Sequence, residues 1–301
     1  MILCVAANPS IDRLFAVERL VPGAIHRPAE FVQVAGGKGL NVARAATTLG
    51  GEVHAAALLG GHAGRWIADQ LEEAGVELHA AWAAAETRSS LSVAGAIEEG
   101  LTEFYEHGAP VSAEEWRGFA QLVAGLAGRA GWMTLSGSLP PGAPADGYLP
   151  MIGVAATALD TREAGVEARP RVVKLNAAEA GQLTGRPVQT ASDALAAARQ
   201  LHEATAGAAI VTLGRDGAVL VDPQGNARSG SVAAEGRYPV GSGDAFLAGL
   251  VVALDGGAGW DDALRAALGA ATANAELPGA GVLDPARAVE LAEACRIEAV
   301  S

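Results

Sequence analysis

Between Tyr238 and Gly249 the chain reads Tyr-Pro-Val-Gly-Ser-Gly-Asp-Ala-Phe-Leu-Ala-Gly: two glycines and a serine lead into an aspartate, and an apolar helical run follows. Such a loop presents backbone N–H groups at a helix N-terminus, where unpaired donors and the dipole both favour an anion. Asp244 then sets a carboxylate at the rim of that anion hole. A carboxylate beside a phosphate is repelled, so the pairing needs a reason. Phosphoryl transfer supplies one: the hole holds charge on the moving group while the carboxylate takes a proton from the attacking hydroxyl. An ordinary glycine turn with an acidic helix start fits the same residues, so the loop alone does not decide.

Three further clusters carry chemistry-bearing residues. Ala35-Gly36-Gly37-Lys38-Gly39-Leu40-Asn41 lets a ligand approach the backbone, with Lys38 as a cation and Asn41 on the first turn of the next helix. It is not a Walker motif, because the upstream glycine and the Ser or Thr after the lysine are missing. Leu135-Ser136-Gly137-Ser138-Leu139-Pro140-Pro141-Gly142 ends a strand in hydroxyls, glycines and a rigid proline pair, at the kind of carboxyl edge where α/β sheets bind ligands. Lys174-Leu175-Asn176-Ala177-Ala178-Glu179 puts an amide and a carboxylate three apart on one helix face, a spacing that suits both a capping box and a hydrated magnesium ion. No histidine pair has metal-ligand spacing along the sequence, and there is no serine elbow or complete dinucleotide fingerprint. The six histidines are scattered and read mostly as surface or packing residues, with His26 beside Arg27 the one to keep in view.

Positioning these loops needs strands that deliver them to one edge. Apolar runs at 2–7, 53–58, 132–135, 157–160, 172–175 and 208–213 read as buried strands, and helical patterns cover 40–49, 65–74 and 114–126. Ser192 is placed to cap a helix over 193–205, and the last third carries helices over 245–254, 261–274 and 285–294. This alternation predicts an α/β sandwich with a largely parallel sheet. Residues 13–34 and 89–106 instead alternate apolar and polar, as half-buried antiparallel strands do, and would form a small second sheet acting as a substrate lid.

Composition bounds the rest. The 301 residues are half hydrophobic, dominated by Ala rather than aromatics, and carry a formal net charge of −13. That balance argues against a nucleic-acid surface, which needs clustered Lys and Arg, but not against a small anionic substrate in a locally basic pocket. Cys4 and Cys295 are the only cysteines, and neither position suggests a disulfide or a thiolate metal site. Residues 1–7 lack a basic leader, and the longest later apolar run falls far short of a membrane span. The expectation is a cytoplasmic protein with no membrane and no nucleic-acid partner.

Asn8-Pro9-Ser10-Ile11-Asp12, Gly36-Gly37-Lys38-Gly39-Leu40-Asn41, Thr87-Arg88, the 136–142 loop, Lys174-Leu175-Asn176 with Glu179, Thr212-Leu213-Gly214 with Gly217, and Gly241-Ser242-Gly243-Asp244 follow one another in the order of a known family. Taken together they resemble the ribokinase-like, PfkB-type carbohydrate kinases over nearly the whole chain. Within that family they are most similar to 1-phosphofructokinases and tagatose-6-phosphate kinases. The resemblance implies one ribokinase-like domain over 1–301, a three-layer α/β/α sandwich with a small antiparallel β lid inserted at about 13–34 and 89–106. It implies ATP-dependent phosphoryl transfer to a hydroxyl of a phosphorylated ketose. Asp244 would be the general base, and Gly241, Ser242 and Gly243 the anion hole. Asp12, Gly37 and Asn41 would hold sugar hydroxyls, while Arg27, Lys38, Arg88 and Ser138 would surround a phosphate already on the substrate. Lys174, Asn176 and Glu179 would serve the phosphates of ATP and a magnesium ion, reached by Glu179 through water, with Thr212 and Gly214 lining the nucleotide site. The lids of two copies would pack into a homodimer.

The chain departs from the family pattern at Leu175, Pro239, Ser242 and Ala245, and its 143–173 segment, with a curtailed helix pattern at 148–156, is short. These departures bear on nucleotide fit and substrate rather than on the base. Two alternatives therefore stand beside the sugar-phosphate kinase. One is a biosynthetic-pathway kinase of a polyol, aminocyclitol or nucleoside; the other is a non-catalytic sugar-phosphate sensor, against which a retained base in the hole argues.

Overall fold

The computed structural model describes residues 1–28, 30–95, 101–161 and 168–300. In chain order the strands and helices are β1 (Ile2–Ala6), β2 (Ser10–Val17), β3 (Glu30–Gly36), α1 (Lys38–Thr48), β4 (Val53–Gly60), α2 (Gly61–Glu73), β5 (Glu77–Ala83), β6 (Arg88–Gly95), β7 (Leu101–Tyr105) and α3 (Ala113–Ala127). There follow β8 (Trp132–Ser136), β9 (Ala156–Asp160), β10 (Val172–Asn176), α4 (Ala177–Thr184), α5 (Ala191–Thr205), β11 (Ala208–Thr212), β12 (Ala218–Val221) and β13 (Ala227–Ser231). The last elements are α6 (Ser242–Asp255), α7 (Trp260–Glu276), α8 (Pro285–Glu293) and β14 (Arg296–Val300).

The large sheet has the order β14-β13-β12-β11-β10-β9-β8-β1-β4-β5, parallel from β5 to β11 and antiparallel beyond. Its central strands read as continuous apolar runs because both faces are covered. Residues such as Ile2, Cys4 and Leu59 pack on one side with α1, α2, α6, α7 and α8. Leu3, Val5 and Leu58 pack on the other with α3, α4 and α5. The result is the expected ribokinase-like α/β/α sandwich. Cys4 and Cys295 are both buried free thiols. No helix among the described residues is long and apolar enough to cross a membrane.

The second sheet has the order β3-β2-β6-β7. Its two hairpin-like pairs, β2–β3 and β6–β7, are antiparallel as the alternation predicts, and β2 and β6 join them by a parallel pairing. Residues 96–100 of the expected lid stretch, and residues 162–167 of the short segment, lie outside the described residues. Two expectations shift. Thr190, not Ser192, caps α5, because only Thr190 can form a reciprocal capping box with Asp193. The 148–156 helix pattern forms only a single tight turn, Leu149–Met151, with Pro150 in its first positions and Gly153 following at φ 93°.

Candidate active site

The parallel strands end on one side of the sheet, and chain order reverses where β1 lies between β8 and β4. That is where an α/β sheet opens a crevice at its carboxyl edge. α6 begins beside it. Its N-cap, Gly241, stands at φ 81°, and an added Cβ would lie 2.6 Å from Ala280 Cα, so only glycine serves there. The Ser242 N–H donates to the Pro239 carbonyl at 3.1 Å, which leaves the N–H groups of Gly243 and Asp244 unpartnered among the described residues. Free donors and the helix dipole together favour an anion at such a terminus. An added Cβ at Gly243 would sit 3.0 Å from Lys174 Nζ, so the glycine also leaves room for that cation.

Asp244 is 6 % exposed and accepts a hydrogen bond from Asn41 Nδ2 at 2.9 Å. Burial pushes its carboxyl up to about 7, Asp160 adds to the rise, and Lys38, Lys174 and the Asn41 bond hold it back. A base that titrates near neutrality is matched to accepting a hydroxyl proton at physiological pH. The oxygen of the same Asn41 amide, Oδ1, is buried with no partner among the described residues. A buried acceptor left open in this way is costly unless a ligand donor fills it.

Next to Asp244 lies a chain of opposite charges. Asp160, fully buried at the end of β9, accepts from Lys174 Nζ at 2.9 Å and from Lys38 Nζ at 3.1 Å. Lys38 also donates to Glu179 at 3.2 Å. Burial opposes the charge of Asp160, yet Lys174 and Lys38 outweigh it and hold the carboxyl below its usual range. Burial likewise opposes the Lys38 ammonium, but Asp160, Asp244 and Glu179 raise it on balance. The Lys38 ammonium is thus engaged with carboxylates at the α6 end of the crevice, while its stem passes Gly137.

The lid closes the other side. Asp12 accepts from the Gly37 N–H at 3.1 Å and from the hydroxyls of Ser10 and Ser90. Gly37 sits at φ 88°, where an added Cβ would approach Pro9 Cα to 2.9 Å. A cleft lies between the lid strands and the 238–240 and 279–280 loops, lined by Asp12, Leu14, Val34, Ser90, Tyr238 and Gly279. Near Asp12 and Tyr105 of that lining, Arg88 donates to the carbonyls of Asn8 and Glu106, each at 3.3 Å, and its buried Nε has no partner among the described residues. Asn8 Nδ2 in turn donates to Ser138 Oγ at 3.1 Å. Burial lowers the Arg88 value, with Asp12, Tyr105 and Glu106 opposing. Arg27 stands apart: it is exposed in the loop between β2 and β3, with no hydrogen bond or ion pair among the described residues. His26 folds the same loop by bonding the Val21 backbone.

At the start of α4, Asn176 and Glu179 form a reciprocal capping box. Thr212 ends β11, where its hydroxyl reaches the Leu175 carbonyl at 3.5 Å, and Gly214 turns away at φ 62° with open space around its Cα. Asp160 was absent from the sequence expectations, although the register that pairs Val173 with Leu159 sets it beside Lys174. Arg44 and Asn274 were also absent. Arg44 donates to the carbonyls of Ala280 and Ala35, and Asn274 bridges the Val240 carbonyl and the Gly281 N–H, so the pair straps the anion-hole loop to the lid return. An amide in the Ala-rich face of α7 was the available signal for Asn274.

Known proteins resemble the chain over most of its length. The family model described as "pfkB family carbohydrate kinase" matches residues 1–287. A 1-phosphofructokinase of Haloferax volcanii is 33 % identical over 291 residues, covering 95 % of this chain and 93 % of that protein. A 1-phosphofructokinase of Xanthomonas campestris pv. campestris is 35 % identical over 269 residues, covering 84 % and 83 %. Among solved structures, phosphofructokinase-2 from Escherichia coli in complex with substrates and products superposes with a TM-score of 0.88 over 97 % of this chain and 98 % of that one, at 24 % identity. The family model spanning 1–287 and these relatives show that the chain belongs to the pfkB family of carbohydrate kinases, enzymes that move a phosphoryl group from ATP to a sugar.

Proposed function

We propose that this enzyme phosphorylates a free hydroxyl of a ketose that already carries one phosphate, as its 1-phosphofructokinase relatives are named for doing. The observation that carries the reading is Arg88: a half-buried guanidinium whose Nε lacks a partner among the described residues, near Asp12 and Tyr105 of the lid cleft and linked through Asn8 to Ser138. A neutral polyol leaves that donor unpaired at a cost, whereas a phosphate takes it in a charge-assisted bond. Asp12, Gly37 and Asn41 are the residues to hold the sugar, with Asn41 Oδ1 open to a hydroxyl. Asp244 takes the hydroxyl proton, and the N–H groups of Gly243 and Asp244 receive the charge of the group in transit. Lys38 serves that same group from between Asp160 and Glu179, rather than the distal phosphate first expected of it. Lys174 lies against Gly243 and neutralises the phosphate end of ATP, while Thr212 and Gly214 border the nucleotide.

Magnesium fits the donor set. Asp160 and Glu179 converge on Lys38 without forming an all-protein cage, as suits a hydrated ion carried in with ATP. When bound, the ion would neutralise charge on the ATP phosphates, with Glu179 reaching it through water.

We read 1–301 as one kinase domain with its lid, working in the cytoplasm where ATP and sugar phosphates are found. Ile25, Phe31, Phe104 and Tyr105 leave apolar surface exposed on that lid, which supports pairing of two lids in a homodimer. Escherichia coli phosphofructokinase-2 has a tetrameric inhibited form, so dimer and tetramer are separate outcomes of a sedimentation measurement.

The substrate reading is tested by ADP release across fructose 1-phosphate, fructose 6-phosphate, tagatose 6-phosphate, fructose and an aminocyclitol. A phosphorylated ketose should have the highest kcat/KM by a wide margin. A higher value for fructose or the cyclitol would replace this reading with the biosynthetic-pathway kinase.

A further inference from the structure

His54, Glu77 and His79 meet on the edge of the large sheet, and the kinase reaction uses none of them. β4 and β5 run parallel in a register that sets His54 opposite Glu77 and Ala56 opposite His79. Side chains alternate along a strand, so Glu77 and His79 share the face to which His54 belongs. The two imidazoles stack with ring centres 5.2 Å apart and planes 18° from parallel. His54 Nδ1 and His79 Nε2 are 3.0 Å apart. One Glu77 oxygen lies 3.3 Å from His54 Nε2 and the other 3.3 Å from His79 Nε2.

One donor atom from each of the three side chains lies within 4.8 Å of the other two, close enough to gather around one ion, while the two short contacts of His54 fall on its two different nitrogens. Zn–N and Zn–O bonds of about 2.0–2.1 Å in a tetrahedron put neighbouring donor atoms about 3.3 Å apart. Two imidazoles and one carboxylate suit zinc and its first-row neighbours, whereas magnesium and calcium prefer sites built of oxygen. The imidazoles are mostly shielded, at 13 % and 25 % exposed, while Glu77, at 60 %, leaves an entry path and room for water as a fourth ligand. Among the described residues this is the one group of three His, Cys, Asp or Glu side chains whose donor atoms converge in this way. It lies at the amino-terminal ends of β4 and β5, and the run from His54 to Gly60 spans about 20 Å of strand toward the catalytic edge. Among the described residues β5 is the last strand of the sheet and pairs only with β4. Ligands drawn from both strands would tie that edge down.

We propose that His54, Glu77 and His79 form a binding site for a divalent transition metal of the Zn²⁺ class that fastens the edge strand β5 to β4. The competing account is a carboxylate-bridged imidazole pair with no metal affinity, and the same experiment separates the two. Zn²⁺ is titrated calorimetrically into the intact protein in excess Mg²⁺, with imidazole ¹⁵N resonances followed in parallel. The proposal expects one Zn²⁺ per chain, coupled shifts of the His54 and His79 resonances, and a melting temperature raised by Zn²⁺ but not by Mg²⁺. His54→Ala and His79→Ala should each lose that binding, and His62→Ala should keep it. Imidazole resonances unmoved by Zn²⁺ in the wild-type protein would overturn the proposal. So would a His79→Ala variant that binds Zn²⁺ as tightly as wild type.

Discussion

Asp244 combines burial, a like-charged neighbour in Asp160 and two nearby lysines, and the balance leaves its carboxyl titrating at about 7. Because this value is raised, the folded protein holds a proton that the unfolded chain releases, and stability falls as pH rises from about 4 through about 7. Asp244→Asn should therefore melt at a higher temperature than wild type at pH 8, by up to roughly 4 kcal/mol in stability from the size of the shift. A variant no more stable than wild type at pH 8 would mean that the carboxylate is not strained by its surroundings. The same titration predicts that wild-type kcat/KM rises with pH through about 7, with the acidic limb missing from Asp244→Asn. Arg88 belongs to a different part of the site. Arg88→Ala should erase much of the preference for a phosphorylated ketose over its parent sugar, since a charge-assisted bond is worth about 1.5–3 kcal/mol. An unchanged ratio of kcat/KM values would remove Arg88 from the phosphate pocket.

Elements place these residues, and most of them were legible in the sequence. β1, α1, β4, α3, β8, β10, β11 and α6 carry strong apolar runs or helical periods, so their loops and the residues in them could be found. β5 was not, because Glu77, His79 and several alanines give it neither clean alternation nor β-branched residues. The antiparallel edge formed by β12, β13 and β14 is short and, in Ala-Arg-Ser-Gly-Ser, close to a loop in composition. Asp160 was missed for a different reason: it ends a strand whose pairing with β10 only the fold reveals, and its role comes from Lys174 and Lys38 on other elements. Close helix packing fixes the direction of α6. An added Cβ at Gly249 would lie 2.6 Å from the Ala266 carbonyl oxygen and 3.0 Å from Ala270 Cβ, on α7. Gly249→Ala should cost about 1–3 kcal/mol through overpacking, read as a lower denaturant midpoint. A midpoint equal to wild type would show that α6 and α7 can move apart without loss.

At the scale of the whole molecule, the lid covers a cavity that an acidic protein must still offer to anions. A net charge of −13 is compatible with that because the cations of the site are drawn inward, Lys174 fully and Arg88 in part, where screening by solvent is weak. The exposed apolar residues of the lid predict association. Ile25→Glu combined with Phe31→Glu should shift the sedimenting species toward monomer, and an unchanged assembly would place the interface elsewhere. Every part of the account meets in the step at Asp244, and its most direct measurement is turnover by Asp244→Asn alongside ATP binding to the same variant. Loss of a general base costs about 10²–10⁴ in rate, so turnover should fall by that factor while ATP still binds. Turnover close to wild type, with ATP bound as before, would contradict the account.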